Sequence, residues 1–284
     1  MLSVTDLSSY IYCSRKLYLQ KVLGLYEPVK EATFKGSFTH ELHDLATKSD
    51  EGIVKSIKQR FSLEEIKDIY LVKYRELLRH LILKNKDMLK HFDLNEKDVF
   101  KKNILIIEEE AGLRAANVHK CLVDFNVVGD KLWDKLTPKI LSELRIENPA
   151  LGLKGVIDRI YQYETGLVPI ELKTGKAPRE GAWPGHKIQI AAYALLLESQ
   201  FNSEIKEGFI HYLEAEQKRH IAINSFLRIE VKELIRTVNS MLTSMQIPNF
   251  CGNENKCNIC GLKGSCYNEK ELNRLLKSKT LNIS

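Results

Sequence analysis

No stretch of this sequence approaches the ~20 consecutive apolar residues of a membrane-spanning helix. The first residues, MLSVTDLSSYIYCSRKLYL, lack the basic-then-apolar order of a secretory leader. A soluble, cytoplasmic protein with no membrane partner is expected. There is no internal repeat and no low-complexity tract. No Gly-x-x-x-x-Gly-Lys-[Ser/Thr] loop is present, so nothing points to a helicase motor. Strong net charge is lacking as well. An excess of +6 is compatible with a polyanionic partner without requiring one. Cysteines are few, and in a reducing compartment six of them read as metal ligands, cluster ligands or buried side chains rather than a disulfide framework.

What is present begins with 284 residues, 44% of them hydrophobic, enough for one large domain carrying an insertion and an appendage. Ser3 and Asp6 form a capping pair for a helix over residues 3–23, ended by Gly24, with Tyr10, Cys13 and Leu17 on one face. A second helix is expected over 36–47. Residues 54–92 carry helical spacing such as Ile66, Tyr70 and Tyr74, and read as a charge-rich insertion bounded by 51 and 103. Residues 104–109 and 121–128 fit strands, or a strand and a helix. Strands follow over 139–147, 154–163 and 167–173, then a helix over 186–199. A hairpin over 207–214 and 219–229 and a long helix over 230–245 complete the pattern. From 246 to 284 the chain turns rich in Cys, Gly and Asn.

The segment GVIDRIYQYETGLVPIELKTGK places charges inside apolar runs. Alternate residues of a strand share a face, so Glu171 and Lys173 point the same way, and the turn at Glu164-Thr165-Gly166 returns the chain beside Asp158. Burying such groups is costly unless they pair or hold a metal. An exposed salt-bridge cluster is the plainer reading. Two carboxylates can instead hold Mg²⁺ or Mn²⁺ through oxygen, with the ammonium beside them.

Asp158 followed by Glu171-Leu172-Lys173 resembles the PD-(D/E)XK nuclease motif, with Ile157 before the acid. Gln189 and Tyr193, four apart on a helix, are similar to the third motif of the RecB-type branch, and Gly36-Ser37-Phe38-Thr39-His40 to the helix whose histidine binds metal. The resemblance is to the CRISPR-associated Cas-four family of RecB-like exonucleases. It implies an α/β restriction-endonuclease-like core, with a mixed central sheet flanked by helices, as one nuclease domain over 1–284. It implies that His40, Asp158, Glu171 and the Leu172 carbonyl hold Mg²⁺ or Mn²⁺, and that Lys173 orients the attacking water. Gln189 and Tyr193 would position the strand, and Lys176, Arg179 and Lys187 are candidate phosphate contacts.

The tail CGNENKCNICGLKGSC supplies Cys251, Cys257, Cys260 and Cys266, a set that by spacing alone suggests zinc. The resemblance instead implies a [4Fe–4S] cluster on Cys13, Cys257, Cys260 and Cys266. Cys13-Ser14-Arg15-Lys16 stands for the family's cysteine-proline-arginine-lysine stretch, with Ser14 replacing proline. Cys251 is then spare or takes the place of Cys13, and Cys121 reads as core. The function implied is a metal-dependent exonuclease on single-stranded DNA ends, trimming DNA for CRISPR spacer acquisition beside the Cas integrase, with a homo-oligomer possible. Two alternatives stand: a non-catalytic DNA-binding or scaffold module, and a host repair nuclease unrelated to CRISPR.

Overall fold

The computed structural model describes residues 1–281. A short β1 (Leu2–Ser3) leads into α1 (Val4–Lys21), capped by the reciprocal Ser3 and Asp6 bonds. A helical stretch follows: α2 (Glu31–Ser56), α3 (Leu63–Lys84), α4 (Lys86–His91), α5 (Glu96–Phe125) and α6 (Asp130–Lys135). The strands β2 (Lys139–Asn148), β3 (Leu153–Tyr163) and β4 (Gly166–Lys173) form an antiparallel meander. Then come α7 (Pro184–Phe201), β5 (Glu207–Tyr212), β6 (Gln217–Ala222), α8 (Ser225–Thr243), and the short tail helices α9 (Glu254–Asn258), α10 (Lys263–Tyr267) and α11 (Glu269–Leu281).

The sheet runs β1-β3-β4-β5-β6, with β2 also paired to β3. β4 and β5 are parallel, so their connection must cross over, and α7 makes the crossover. Ten consecutive residues of α7, Ile188 to Leu197, are buried, as expected of a helix enclosed on all sides. It packs with α1 and α8 on one face of the sheet, around Val4, Leu7, Ile157, Ile210 and Val231. A second core, around Tyr70, Tyr74, Leu78 and Ile107, joins α2, α3, α5 and α6.

The sheet's contact with this second layer is polar. Arg114 donates to Glu110 (2.7 Å), Asp50 (2.8 Å) and Thr47 (3.0 Å), while Arg159 of β3 reaches Glu110 (3.1 Å) and His43 Nδ1 (3.1 Å). Burial is offset here because each charge meets an opposite one. The arginines hold the Glu110 carboxyl well below its usual range against the effect of burial.

Several expectations are corrected. Residues 104–109 are helical within α5, not a strand. The buried positions Asn103, Ile107, Glu110, Ala111 and Arg114 follow helical spacing, and Leu105 is 67% exposed, which a core strand would not allow. Residues 121–125 continue that helix until Asn126 turns left-handed (φ 51°) and ends it. The hairpin ends at Ala222, and Asn224 caps α8 by accepting from the Leu227 amide (2.9 Å), so residues 225–229 are helical. The limits 51 and 103 both fall inside continuous helices, α2 and α5. Among the described residues no helix is long and apolar enough to cross a membrane.

Candidate active site

The β3–β4 ladder runs from Tyr163 opposite Gly166 to Arg159 opposite Ile170 and stops there. Asp158 and Glu171 are the next residues on the two strands, so both acids stand where the strands part. The Leu172 amide donates to Asp158 Oδ2 (2.8 Å) and fixes that carboxylate across the gap. Glu171 Oε1 accepts from Lys173 Nζ (2.7 Å) and from Gln189 Nε2 (3.0 Å), and Lys173 Nζ also donates to Gln189 Oε1 (2.8 Å). Two residues apart on a strand and one residue on α7 thus close a three-membered ring of side chains.

His40 arrives from α2, its Nδ1 3.3 Å from Asp158 Oδ1. The glycine of the Gly-x-x-x-His stretch has a steric reason. A Cβ on Gly36 would lie 3.0 Å from Thr174 Oγ1, so the missing side chain lets α2 approach the end of β4 closely without displacing Thr174. One turn further on, His40 then faces Asp158. Gly155 acts likewise, for a Cβ there would meet the Tyr193 ring at 2.9 Å and Val4 at 3.0 Å.

Burial, then the Asp158 charge, pushes the Glu171 carboxyl up to about 7 against the pull of Lys173 and His40. Burial alone would lower His40, but its hydrogen bond to Asp158 and the charges of Asp158 and Glu171 outweigh it and raise the imidazole. Burial, with Glu171 and Asp158 nearby, holds the Tyr193 phenol well above its usual range. Gln189 and Tyr193 are each only 2% exposed, so in this structure the groups they position are Glu171 and Lys173.

One acid here was not singled out from the sequence. The β2–β3 register pairs Ser142 with Arg159 and Leu144 with Ile157, leaving Glu143 out of the ladder opposite Asp158. Its backbone is left-handed (φ 51°), a conformation that costs a non-glycine residue about 1 kcal/mol. Burial, then Asp158 and Asp44, raises its carboxyl. No pattern in the sequence marks a positive φ at a glutamate within a strand.

Among the described residues no three His, Cys, Asp or Glu side chains stand together as a preformed metal group. The donors still suit a hard cation. Glu171 Oε2 is buried without a hydrogen-bond partner, and two further carboxylates and an imidazole crowd the same corner. Lys176, Arg179 and Lys187 are exposed and lie outside this ring. The Arg179 carbonyl accepts from Arg219, and that of Lys176 from the Trp183 indole.

Cys13, Cys251, Cys257, Cys260 and Cys266 line one cavity of about 30 Å³. Arg15, Lys16, Lys256 and Lys263 share its walls, Cys260 Sγ donates to Glu27 Oε1 (3.5 Å), and burial raises the Cys13 and Cys260 thiols; the sulfur donors themselves suit a soft metal. Cys251 Sγ lies 3.5 Å from Cys257 Sγ, so the extra cysteine belongs to the group spatially. Arg15 Nε donates to Cys266 Sγ (3.2 Å), and its other nitrogens to the carbonyls of Cys266 (2.9 Å) and Pro248 (2.7 Å). The chain's two ends are therefore joined by α1 and the tail. Cys13 does not ride on an inward helical face as expected. Its backbone is extended (φ −164°, ψ 104°), and it breaks α1, its sulfur accepting from the Lys16 amide (3.4 Å) like a cap. Cys121 is buried on α5, apart from the others.

Residues 1–267 match the PD-(D/E)XK nuclease superfamily. The chain is 31% identical over 179 residues to a CRISPR-associated exonuclease Cas4/endonuclease Cas1 fusion of Leptospira interrogans, covering 60% of this chain and 32% of that protein. It is 29% identical over 127 residues to a CRISPR-associated exonuclease Cas4 of Francisella tularensis subsp. novicida, covering 43% and 60%. Over 94% of its length it is 23% identical to human DNA replication ATP-dependent helicase/nuclease DNA2, of which it covers 26%. The chain thus spans about a third of the Cas4/Cas1 fusion and less of the helicase/nuclease.

Proposed function

The chain belongs to the PD-(D/E)XK nuclease superfamily, and on that premise we propose that it is a divalent-cation-dependent exonuclease acting on single-stranded DNA ends. The observation that carries this reading is the closed ring of Glu171, Lys173 and Gln189 beside Asp158 at the parting of β3 and β4, with Glu171 Oε2 left unpartnered.

His40, Asp158, Glu171 and the Leu172 carbonyl would hold Mg²⁺ or Mn²⁺. When bound, the cation supplies Lewis acidity toward the phosphoryl oxygens and lowers the pKa of water. Among the described residues, Lys173 is the one ammonium in hydrogen-bond contact with Glu171. From there it orients the attacking water and stabilises the charge that grows on the phosphoryl group. Gln189 holds both Glu171 and Lys173 in register, and Tyr193 backs Glu171 from inside α7. Cys13, Cys257, Cys260 and Cys266 would hold a [4Fe–4S] cluster, with zinc as the other thiolate metal the set can take. The cysteine-rich tail from residue 246 would then clasp α1 and complete the single domain.

The Cas4/Cas1 fusion supports a role beside a Cas1-type endonuclease, the integrase expected above, in trimming DNA for spacer acquisition. A second reading, a repair or replication nuclease, draws on the likeness to DNA2 along nearly the whole chain. The test is release of nucleotides from labelled single-stranded DNA. Cleavage should need Mg²⁺ or Mn²⁺, stop with chelator, and fall roughly 10³-fold or more in Asp158→Ala. Lys173→Ala should cut turnover while keeping calorimetric metal binding. Near wild-type cleavage by Asp158→Ala would sink the assignment.

A further inference from the structure

We propose that the groove of ≈ 890 Å³ beside Lys173 is the path of a single DNA strand whose bases stack on Trp183 and Tyr12. The proposal rests on the nuclease reading and adds to it the substrate's route. Three parts of the chain build the groove: α1 through Ser8, Ser9 and Tyr12, the start of α7 through Trp183 and Gly185, and the cysteine-rich tail through Asn253 and Lys256. Lys173 and Gln189 of the catalytic ring line it too, so a strand lying there reaches the reacting corner.

The lining is one-sided in charge. Lys16, Lys173 and Lys256 face the groove and, among the described residues, no Asp or Glu lines it, although Lys173 pairs with Glu171 (2.7 Å) and Lys16 with Glu27 (3.0 Å). Such a lining is the complement of a phosphate backbone. Two large rings stand open along it, Trp183 48% exposed and Tyr12 41% exposed. Both are held. The Trp183 indole donates to the Lys176 carbonyl (2.9 Å), and Lys256 Nζ sits 4.7 Å from the Tyr12 ring centroid while donating to the Tyr12 carbonyl (2.8 Å). A fixed, open aromatic face accepts a base at small entropic cost. The floor is firm as well, because a Cβ on Gly185 would lie 3.3 Å from Ser8 Cβ and from its carbonyl oxygen. The first turn of α7 has no side-chain cap, which adds the positive end of an 18-residue helix. Stacked, paired bases of a duplex offer no free faces, so the occupant is a single strand.

The chain has two tryptophans. A Trp133→Phe, Asp158→Ala chain leaves Trp183 as its only tryptophan and does not cut. Adding oligothymidylate should quench Trp183 fluorescence saturably, and a blunt duplex should not. In the cutting protein, Trp183→Ala and Tyr12→Ala should each raise KM roughly 5- to 150-fold, the range expected for losing one stacked base, with kcat changed less. Trp183→Phe keeps a ring face but loses the bond to Lys176, and should restore most of the KM. If bound oligonucleotide, seen by anisotropy, leaves Trp183 unquenched, the route is wrong. If Trp183→Phe is as impaired as Trp183→Ala, the indole bond matters and stacking does not. Equal quenching by duplex overturns the single-strand claim. Wild-type protein that cuts nothing with Mg²⁺ or Mn²⁺ would overturn the nuclease reading, whereas the fluorescence titration judges the groove separately.

Discussion

Glu171→Gln should abolish cleavage and at the same time stabilise the cation-free protein at alkaline pH. The carboxyl is 4% exposed, and burial with the Asp158 charge raises it from 4.5 to about 7. A raised pKa means that the folded state holds the proton more tightly than the unfolded chain. The stability this contributes is full below pH 4.5 and is lost as pH rises through about 7. At about 1.4 kcal/mol per pH unit, that interval amounts to roughly 3 kcal/mol of cost carried by ionised Glu171. Glutamine occupies nearly the same volume, still accepts from Lys173 and Gln189, and cannot ionise. It leaves the Lys173 ammonium without its carboxylate, but that side chain is 21% exposed and keeps some solvent, so a net gain of about 1–3 kcal/mol remains. Urea unfolding of both proteins in chelator, at pH 8 and at pH 5, reads this directly. The variant should lead at pH 8, and the gap should narrow at pH 5. Mg²⁺ should stabilise the wild type and leave the variant unchanged. A variant less stable than wild type at pH 8, or a gap indifferent to pH, would refute the account of Glu171 as a buried acid held for a cation.

His40→Ala should weaken cation affinity, read by calorimetry, with excess Mn²⁺ recovering part of the cleavage; if no Mn²⁺ concentration helps, the ligand role is doubtful. Glu143→Ala should also reduce cation affinity, whereas Glu143→Gly, which relieves the left-handed strain, should raise the melting temperature slightly; unchanged affinity in both variants would remove Glu143 from the site. Cys13, Cys257, Cys260 and Cys266 should each be needed for brown protein containing iron, and Cys251→Ser and Cys121→Ser should keep the colour; a colourless Cys251→Ser beside a brown Cys13→Ser would exchange those two cysteines. Burial, then the Arg159 charge, lowers His43 to about 3, so the neutral ring's stability is present above pH 6.5 and lost as pH falls below it. His43→Gln should remove about 1.4 kcal/mol per pH unit from the slope of stability between pH 6 and 5, while His186 and His211, lowered in the same direction by burial, keep the slope from vanishing; an unaltered slope would mean that His43 takes up a proton when folded.

The meander β2–β4, the helix α7 and the order of the four short motifs could be read from the sequence, because alternation and helical spacing are local properties of the chain. The capping pair Ser3 and Asp6 was equally plain. Periodicity failed at Ile104 to Glu109, where β-branched residues mimic a strand and only packing of α5 on α3 selects the helix. The tertiary structure alone placed Glu143 opposite Asp158, since that depends on strand register and on one residue's φ. It also gathered Cys251 with the other four tail and α1 cysteines, enclosed Arg114 and Arg159 with Glu110, and brought Tyr12, Trp183 and Lys256 around one groove. Most of these meetings join residues tens to hundreds of positions apart. The groove and the cysteine group follow from α1 packing on α7 and the tail folding back on α1, and the arginine cluster from α2 and α5 meeting β3, contacts between distant segments that no local pattern encodes.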